Sequence, residues 1–257
     1  MISQASPAPL PPIPAPSSPP LGAAAVVDTG RYGPPADSAA AQLVVIAQDG
    51  SIGQVHPLFG EHNDIGRTEG TILLPNDPFV SPRHARVSRR EGRCTIRDLG
   101  SLNGVYLRLR QPELLRDGDL VLIGLEVLRF EIVSDSEKGF GPAVDKGTQV
   151  FGSPCSPRFA RLCQRTVEGV TRDVFHISSN EVTIGRESGD IVFTADPFMS
   201  RRHAAIARSP ADGSFALRDL GSSNGTYLAI RGEVELAHGD HVRIGQHLFR
   251  LDVAVNR

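Results

Sequence analysis

Residues 65–85, IGRTEGTILLPNDPFVSPRHA, return in altered form as residues 184–204, IGRESGDIVFTADPFMSRRHA, with 12 of 21 positions identical. Residues 97–104, RDLGSLNG, return as residues 218–225, RDLGSSNG. The first pair is offset by 119 (184 − 65) and the second by 121 (218 − 97), because two residues are inserted near Asp212-Gly213, a typical hairpin turn. A period of about 120 residues is too long for a solenoid. The chain therefore contains one domain duplicated in tandem.

Alternating side chains inside each copy predict β-strands. Apolar Leu128, Phe130 and Ile132 alternate with charged residues, and 249–253 repeat the alternation in the second copy. A period of two buries one face of a strand and leaves the other in water. Gly, Asn, Asp and Pro punctuate these short runs, and no long stretch has a helical period. The predicted fold class is all-β, with two tandem β-sandwiches.

Composition sets the expected domain boundaries. Half of the 20 prolines precede residue 36, so 1–41 is predicted to be a disordered Pro/Ala-rich tail. The two copies are assigned to 42–133 and 159–254. A stretch rich in Ser, Gly and Pro separates them, and 134–158 is predicted to be an interdomain linker.

Charge and cysteine content exclude several classes of protein. With 27 Lys+Arg against 29 Asp+Glu, the chain lacks the basic excess of a nucleic-acid binder. No apolar run is long enough to span a bilayer, and no Lys or Arg precedes Arg31 to form a secretory signal. Cys94, Cys155 and Cys163 are too few and too dispersed for a disulfide framework or a zinc site. We expect a reduced, soluble, cytoplasmic protein without metal or cofactor.

Both copies repeat one polar set in predicted loops: Gly-Arg, then Ser-x-x-His, then Asn-Gly. The Arg and the Ser are 14 residues apart in each copy (81 − 67 and 200 − 186). A guanidinium presents a planar fork suited to phosphate or carboxylate, and a hydroxyl can donate to a further oxygen. An Asn amide can bind a peptide main chain through both its N–H and its C=O. The set predicts an anion pocket beside a groove for an extended peptide.

This pattern resembles the forkhead-associated (FHA) domain, a phosphothreonine-recognition module. The resemblance covers about 42–133 and 159–254, nearly everything outside the tail and the linker. It implies a non-catalytic adaptor in Ser/Thr-kinase signalling. The implied partners are phosphothreonine-containing proteins, either a kinase or its substrates, and neither nucleic acid nor membrane.

The family's residue roles transfer to matching positions of the second copy. The resemblance implies that five residues bind the phosphopeptide: Arg186, Ser200, Arg201, Ser223 and Asn224. It implies that three residues shape the loops: Gly185, His203 and Gly225. Thr226 supplies the threonine that usually follows Asn-Gly in the family.

The first copy keeps part of this set. Three positions match phosphopeptide-binding residues (Arg67, Ser81 and Asn103), and three match architectural ones (Gly66, His84 and Gly104). Pro82, Leu102 and Val105 replace Arg201, Ser223 and Thr226. Losing about two hydrogen bonds to a charged group, at roughly 1.5–3 kcal/mol each, weakens affinity by two orders of magnitude or more. The second copy is therefore the expected principal reader, although Arg83 is available as a substitute donor in the first.

Three further interpretations stay open. The copies could be a scaffold that associates with proteins independently of phosphate. A Ser-His-Asp hydrolase is disfavoured, because the sequence has no G-x-S-x-G elbow and no evident oxyanion hole. Finally, Thr29 in the tail and Thr148 in the linker, once phosphorylated, could occupy a pocket of the same chain.

Overall fold

The computed structural model describes residues 41–134, 141, 143–153 and 156–254, and these residues form an all-β structure. The predicted tail thus lies outside the described residues, apart from its last residue, Ala41, which begins the first strand. Twelve strands precede residue 158: β1 (Ala41–Ile46), β2 (Ile52–Pro57), β3 (His62–Gly66), β4 (Ile72–Leu73), β5 (Ala85–Arg90), β6 (Arg93–Asp98), β7 (Val105–Arg108), β8 (Glu113–Leu115), β9 (Leu120–Ile123), β10 (Glu126–Ile132), β11 (Val144–Asp145) and β12 (Thr148–Gln149).

The second copy contributes ten strands in the same order. They are β13 (Ala160–Arg165), β14 (Thr171–Ile177), β15 (Glu181–Gly185), β16 (Ile191–Val192), β17 (Ala204–Arg208), β18 (Phe215–Asp219), β19 (Thr226–Ala229), β20 (Glu233–Leu236), β21 (His241–Ile244) and β22 (His247–Val253). We call 42–133 the first repeat and 159–254 the second repeat. No helix in the described part of the chain is long and apolar enough to cross a membrane.

One ten-stranded sheet is shared by both repeats. Its order is β14-β13-β10-β9-β19-β7-β21-β22-β1-β2. Two five-stranded sheets cover it: β20-β6-β5-β3-β4 and β16-β15-β17-β18-β8. Each forms a sandwich with half of the shared sheet, since the buried residues divide into two principal apolar cores, one under each five-stranded sheet.

The two sandwiches exchange strands between the repeats. In the first sandwich, β7 pairs with β21 and β6 pairs with β20. In the second sandwich, β19 pairs with β9 and β18 pairs with β8. The first sandwich therefore consists of 41–108 and 233–253, while the second is the continuous segment 113–229. The second sandwich is inserted between β7 and β20 of the first.

This arrangement corrects two expectations about the domains. The repeats 42–133 and 159–254 do not each close a sandwich, because each gives its last three strands to the other's core. The segment 134–158 is not an interdomain linker either. It joins β10 to β13, which are antiparallel neighbours in the second sandwich (Ile132 faces Ala160), and it contains the small hairpin β11–β12.

Core composition follows the exchange. In the first core Leu43, Ile65 and Val87 of the first repeat pack with Ile244 and Phe249 of the second. Cys94 lies in this core beside Leu236, as a small buried residue, and burial raises the pKa of its thiol. Leu128 and Phe130 thus do face a core, and that core belongs to strands from both repeats, but the prediction was wrong for Ile132, which is 47% exposed at the end of β10.

Two equivalent arginines secure the connections where the chain passes between the sandwiches. Arg110 pairs with the buried Asp240, and Arg231 pairs with the buried Asp119, to which its Nε donates at 2.7 Å. Arg110 and Arg231 are related by the repeat offset (231 − 110 = 121), as are the two aspartates (240 − 119 = 121). Each arginine reaches the aspartate of the other repeat, so both ion pairs depend on the exchange.

Candidate functional site

The predicted site residues of each copy meet where three loops converge. In the first sandwich these are the loops β3–β4, β4–β5 and β6–β7, and we call this place the first site. The loops β15–β16, β16–β17 and β18–β19 form the second site. Every predicted residue of a site comes from one repeat, so the strand exchange leaves each loop set whole.

A buried histidine joins the loops at each site. The Ser200 amide N–H donates to Nδ1 of His203 at 3.0 Å, so this nitrogen is the acceptor and Nε2 carries the proton. Nε2 then donates to the carbonyl oxygen of Gly225 at 3.1 Å. Burial lowers the pKa of His203, which keeps the ring neutral. His84 makes the same two contacts, with Ser81 and Gly104, at 3.0 Å each.

These contacts argue against the hydrolase interpretation. Both ring nitrogens of each histidine are bonded to main-chain groups, so neither is placed on the Ser81 or Ser200 hydroxyl. A serine nucleophile needs its base within hydrogen-bond reach of Oγ.

The serine hydroxyls connect two of the loops. Ser200 Oγ accepts the amide N–H of Ser223 at 3.1 Å, and Ser81 Oγ accepts that of Leu102 at the same distance. An accepting hydroxyl still has its own proton to donate. Each serine is therefore oriented by the protein and can donate to a ligand oxygen.

Glycine is required where loops touch. A side chain at Gly185 would collide with the carbonyl oxygen of Arg201, and one at Gly66 would collide with that of Pro82. The amides of Arg186 and Arg67 follow directly, donating at 2.9 Å to the carbonyls of Ser200 and Ser81. The glycine thus lets the arginine main chain lie against the serine loop.

The asparagines are oriented by one hydrogen bond each. Nδ2 of Asn224 donates to the carbonyl of Phe198, and Nδ2 of Asn103 to that of Phe79, both at 2.8 Å. Both asparagines lie at least partly in solvent. The amide keeps a second N–H and its C=O, which is the pair needed to bind a peptide main chain.

At the second site two arginines converge on one carboxylate. Arg186 Nη2 lies 3.0 Å from Glu187 Oε1, and Arg201 Nε lies 3.4 Å from Glu187 Oε2. The side chain of Arg186 is 35% exposed and that of Arg201 is 79% exposed, so a ligand can reach both. Glu187 was not predicted from the sequence. Its carboxylate is the single anionic group around which the two guanidinium groups are held.

The first site has the same frame with fewer donors. Nε of Arg67 is buried and has no hydrogen-bond partner among the described residues. Leu102 is 76% exposed where the second site has the Ser223 hydroxyl. Arg83, the expected substitute donor, is paired with Asp64, since its Nε donates to Asp64 Oδ2 at 3.1 Å.

Asp219, which was also not predicted as a site residue, explains why a threonine follows Asn-Gly in the second repeat. Thr226 is buried, and its hydroxyl donates to Asp219 Oδ2 at 2.7 Å. Burial acts to raise the pKa of Asp219, but hydrogen bonds from Ser222, Thr226 and nearby amides leave that pKa below its usual range. Thr226 therefore braces the loop and does not face a ligand. Val105 is the counterpart of Thr226 and has no hydroxyl. The first site therefore lacks this hydrogen bond within the loop but loses no ligand donor.

The strand exchange adds one cation to the second site. Arg108 of β7 faces Tyr227 of β19 in the sheet. Its guanidinium lies so close to Gly225 that a side chain there would collide with it. The counterpart of Arg108 is Ala229 (108 + 121), so the first site receives no such charge. No sequence pattern indicated this contact, since it joins different repeats.

Comparisons with known proteins agree with the geometry of the loops. The profile of the FHA domain matches residues 63–124 and 182–245. The chain is 35% identical over 127 residues to the oxoglutarate dehydrogenase inhibitor of Corynebacterium diphtheriae, covering 49% of this chain and 83% of that relative. It is 37% identical over 68 residues to FHA domain-containing protein FhaB of Mycobacterium tuberculosis, covering 26% of this chain and 44% of FhaB.

A solved structure that is described as an analysis of phosphothreonine-dependent FHA domain interactions also matches. It covers 83% of this chain and 95% of its own, at 13% identity and a TM-score of 0.32. The two profile matches coincide with the two loop sets, since each begins within the strand that precedes the Gly-Arg pair and ends beyond Asn-Gly.

Proposed function

Because this chain belongs to the FHA-domain family and carries two FHA repeats in tandem, we propose that it is a non-catalytic adaptor that binds phosphothreonine on partner proteins in Ser/Thr-kinase signalling. One observation carries the proposal. Arg186 and Arg201 converge on a single carboxylate beside an oriented serine hydroxyl and an oriented asparagine amide. A phosphate group offers more charge and more acceptors than that carboxylate.

The donors of the second site match a phosphorylated side chain. A phosphothreonine carries close to two negative charges and three strong acceptor oxygens. The guanidinium groups of Arg186 and Arg201 can displace Glu187 for it, and the hydroxyls of Ser200 and Ser223 complete the set. Asn224 is left to bind the main chain of the ligand. Gly185, His203 and Gly225 serve in this proposal to hold the loops in place.

A titration of the full chain tests the proposal. We expect a phosphothreonine peptide to bind and the same peptide without phosphate to show no measurable binding by calorimetry. Equal affinity for both peptides would instead support the phosphate-independent scaffold. Release of product from a generic ester, at a rate that follows the protein concentration, would support the hydrolase.

The two sites are expected to differ in affinity. In the full chain, Arg67→Ala leaves the second site to be measured, and Arg186→Ala combined with Arg201→Ala leaves the first. We expect the second site to bind a phosphothreonine peptide roughly 100-fold more tightly or better, because the first lacks the donors of Arg201 and Ser223. Calorimetry of the two variants with one peptide gives the ranking.

Restoring the missing donors tests the cause of that difference. Pro82 and Arg201 have the same main-chain role, since the carbonyl of each accepts two amides of the preceding loop. Pro82→Arg with Leu102→Ser, placed in the chain that carries Arg186→Ala and Arg201→Ala, should therefore raise affinity at the first site. Val105→Thr is the matched control and should change it little, because that position is buried away from the ligand. The reverse ranking of these variants contradicts our assignment of the donors.

Relatives named oxoglutarate dehydrogenase inhibitor favour a second candidate function, which is inhibition of an enzyme by binding to it.

We propose the cytoplasm as the place of action, since Cys94 and Cys163 are both buried free thiols.

Intramolecular binding of a phosphorylated threonine is a further part of the proposal. Thr148 is exposed in β12, with the exposed apolar side chains of Val150 and Phe151 just after it. Thr29 lies outside the described residues. A phosphothreonine on the same chain competes at an effective concentration that can reach the millimolar range for a short flexible linker. After treatment with a kinase, wild type should therefore bind an external phosphopeptide more weakly than the Thr29→Ala/Thr148→Ala variant. No phosphate on either residue, or equal affinities, removes this part.

A further inference from the structure

We infer that the two sites form a rigid pair pointing in opposite directions, and that the partner this pair fits is a two-fold symmetric phosphoprotein dimer presenting one phosphothreonine segment from each subunit. The inference rests on the proposed function. It adds the spacing and the relative direction of the two ligand segments, which come from the strand exchange.

The central strand pair relates the sites by a local two-fold axis. β7 starts directly after Asn103-Gly104, and β19 starts directly after Asn224-Gly225. The two strands are antiparallel, and Leu107 faces Leu228 at the centre. These leucines are equivalent in the repeat (228 − 107 = 121), so the register is symmetric about them. Main-chain bonds of 2.9 Å continue this symmetry at both ends, from Leu109 to Thr226 and from Ile230 to Val105.

The same register sets the distance between the sites. Arg108 faces Tyr227, so the position opposite Gly225 is residue 110 (108 + 227 − 225). Gly104 is six residues from that position (110 − 104), which is roughly 20 Å at about 3.3 Å per residue. The Asn-Gly turns therefore lie at opposite ends of one strand pair, and ligand segments bound by equivalent contacts run in opposite directions.

Three features make this spacing rigid. β7 and β19 lie side by side in the middle of the ten-stranded sheet, each with a further strand on its other side. Tyr106 and Tyr227, which belong to these strands, are buried together in a third apolar cluster. The ion pairs of Arg110 and Arg231 with buried aspartates hold the two crossing connections. The segment 134–158 does not set the distance, because it joins two strands of the second sandwich.

Geometry then selects the partner. A two-fold phosphoprotein dimer presents equivalent segments already related by a two-fold axis, so it meets both sites without rearrangement. A single chain with two phosphothreonines must instead cross roughly 20 Å and reverse its direction. At about 3.3–3.6 Å per extended residue, fewer than about six intervening residues cannot do this.

Covalently dimerised peptides test the inference on the full chain. One phosphothreonine peptide is joined to itself through its N-terminus with flexible spacers of increasing length, and is compared with its monomer by calorimetry. We expect one dimeric peptide per chain and an apparent affinity at least tenfold above the monomer's once the spacer spans the sites. Arg67→Ala should abolish this gain, because it removes the first site as a second contact.

The outcomes separate the inference from the proposed function. If the monomer binds but no dimer gains affinity at any spacer length, the rigid pair is overturned and phosphothreonine binding stands. Light scattering that shows one dimeric peptide joining two chains also overturns it. A head-to-tail tandem of the same peptide, whose two segments are not related by a two-fold axis, should gain less at the shortest spacers that span the sites, and an equal gain at every length overturns the two-fold relation. If no phosphothreonine peptide binds, the proposed function and this inference both fail.

Discussion

Replacement of Arg186 by alanine is expected to lower the affinity of the second site for a phosphothreonine peptide by about 2–4 kcal/mol, roughly 30- to 1,000-fold. The reason is the loss of charge-assisted hydrogen bonds from a guanidinium that already holds a carboxylate at 3.0 Å. Folding should not change, since the Arg186 main chain keeps its bond to Ser200 and the side chain is partly exposed. Calorimetry measures the loss, and circular dichroism checks the fold.

Glu187→Gln is the matched control for this prediction. It changes a neighbour in the same loop but removes only the carboxylate that Arg186 and Arg201 share. Phosphate no longer has to displace a negative charge, so this variant should bind at least as tightly as wild type. A folded Arg186→Ala chain with unaltered affinity, measured where Arg67→Ala has silenced the first site, contradicts the assignment of Arg186.

Repetition singled out the two sets of loop residues in the sequence. The Arg, Ser and Asn of each copy recur at equivalent spacings, and the structure brings each set together on three loops. The bracing residues left a weaker signal. Asp219 and Asp98 lie inside the repeated RDLGS segment, but nothing in the sequence states that they accept bonds from the loop. The role of Glu187 could not be predicted from the sequence, because it depends on the side-chain conformation that brings its carboxylate to Arg186 and Arg201.

The strand exchange could not be predicted, because the repeats offer equivalent partners. Leu107 faces Val242 in the structure, and the unexchanged partner would be Val121 (242 − 121), also a valine. Arg110 pairs with Asp240, and Asp119 is the equivalent residue of its own repeat. Local pairing energies are therefore nearly the same for both arrangements, as in other exchanged elements.

Engineered cysteine pairs are expected to distinguish the exchanged from the unexchanged strand arrangement almost completely, because each pair forms a disulfide in only one of them. Thr95 of β6 faces Glu235 of β20, and facing residues of antiparallel strands have Cα atoms about 4.5–5.5 Å apart, within disulfide range. Thr95→Cys with Glu235→Cys should therefore close a bond within one chain. In an unexchanged chain the neighbour of Thr95 would be Leu114 (235 − 121), so Thr95→Cys with Leu114→Cys should stay reduced.

A third pair makes the test symmetric. Leu114 of β8 faces Ala216 of β18, so Leu114→Cys with Ala216→Cys should also close. The measurement is mass spectrometry and non-reducing electrophoresis of dilute monomer after mild oxidation, with Cys155→Ser in every variant. Cys94 and Cys163 can remain, because burial raises the pKa of both thiols and keeps them unreactive. A disulfide formed in the variant with Thr95→Cys and Leu114→Cys would show that each repeat forms its own sandwich. The two sites would then be joined by 134–158 alone, and the fixed spacing between them would be lost.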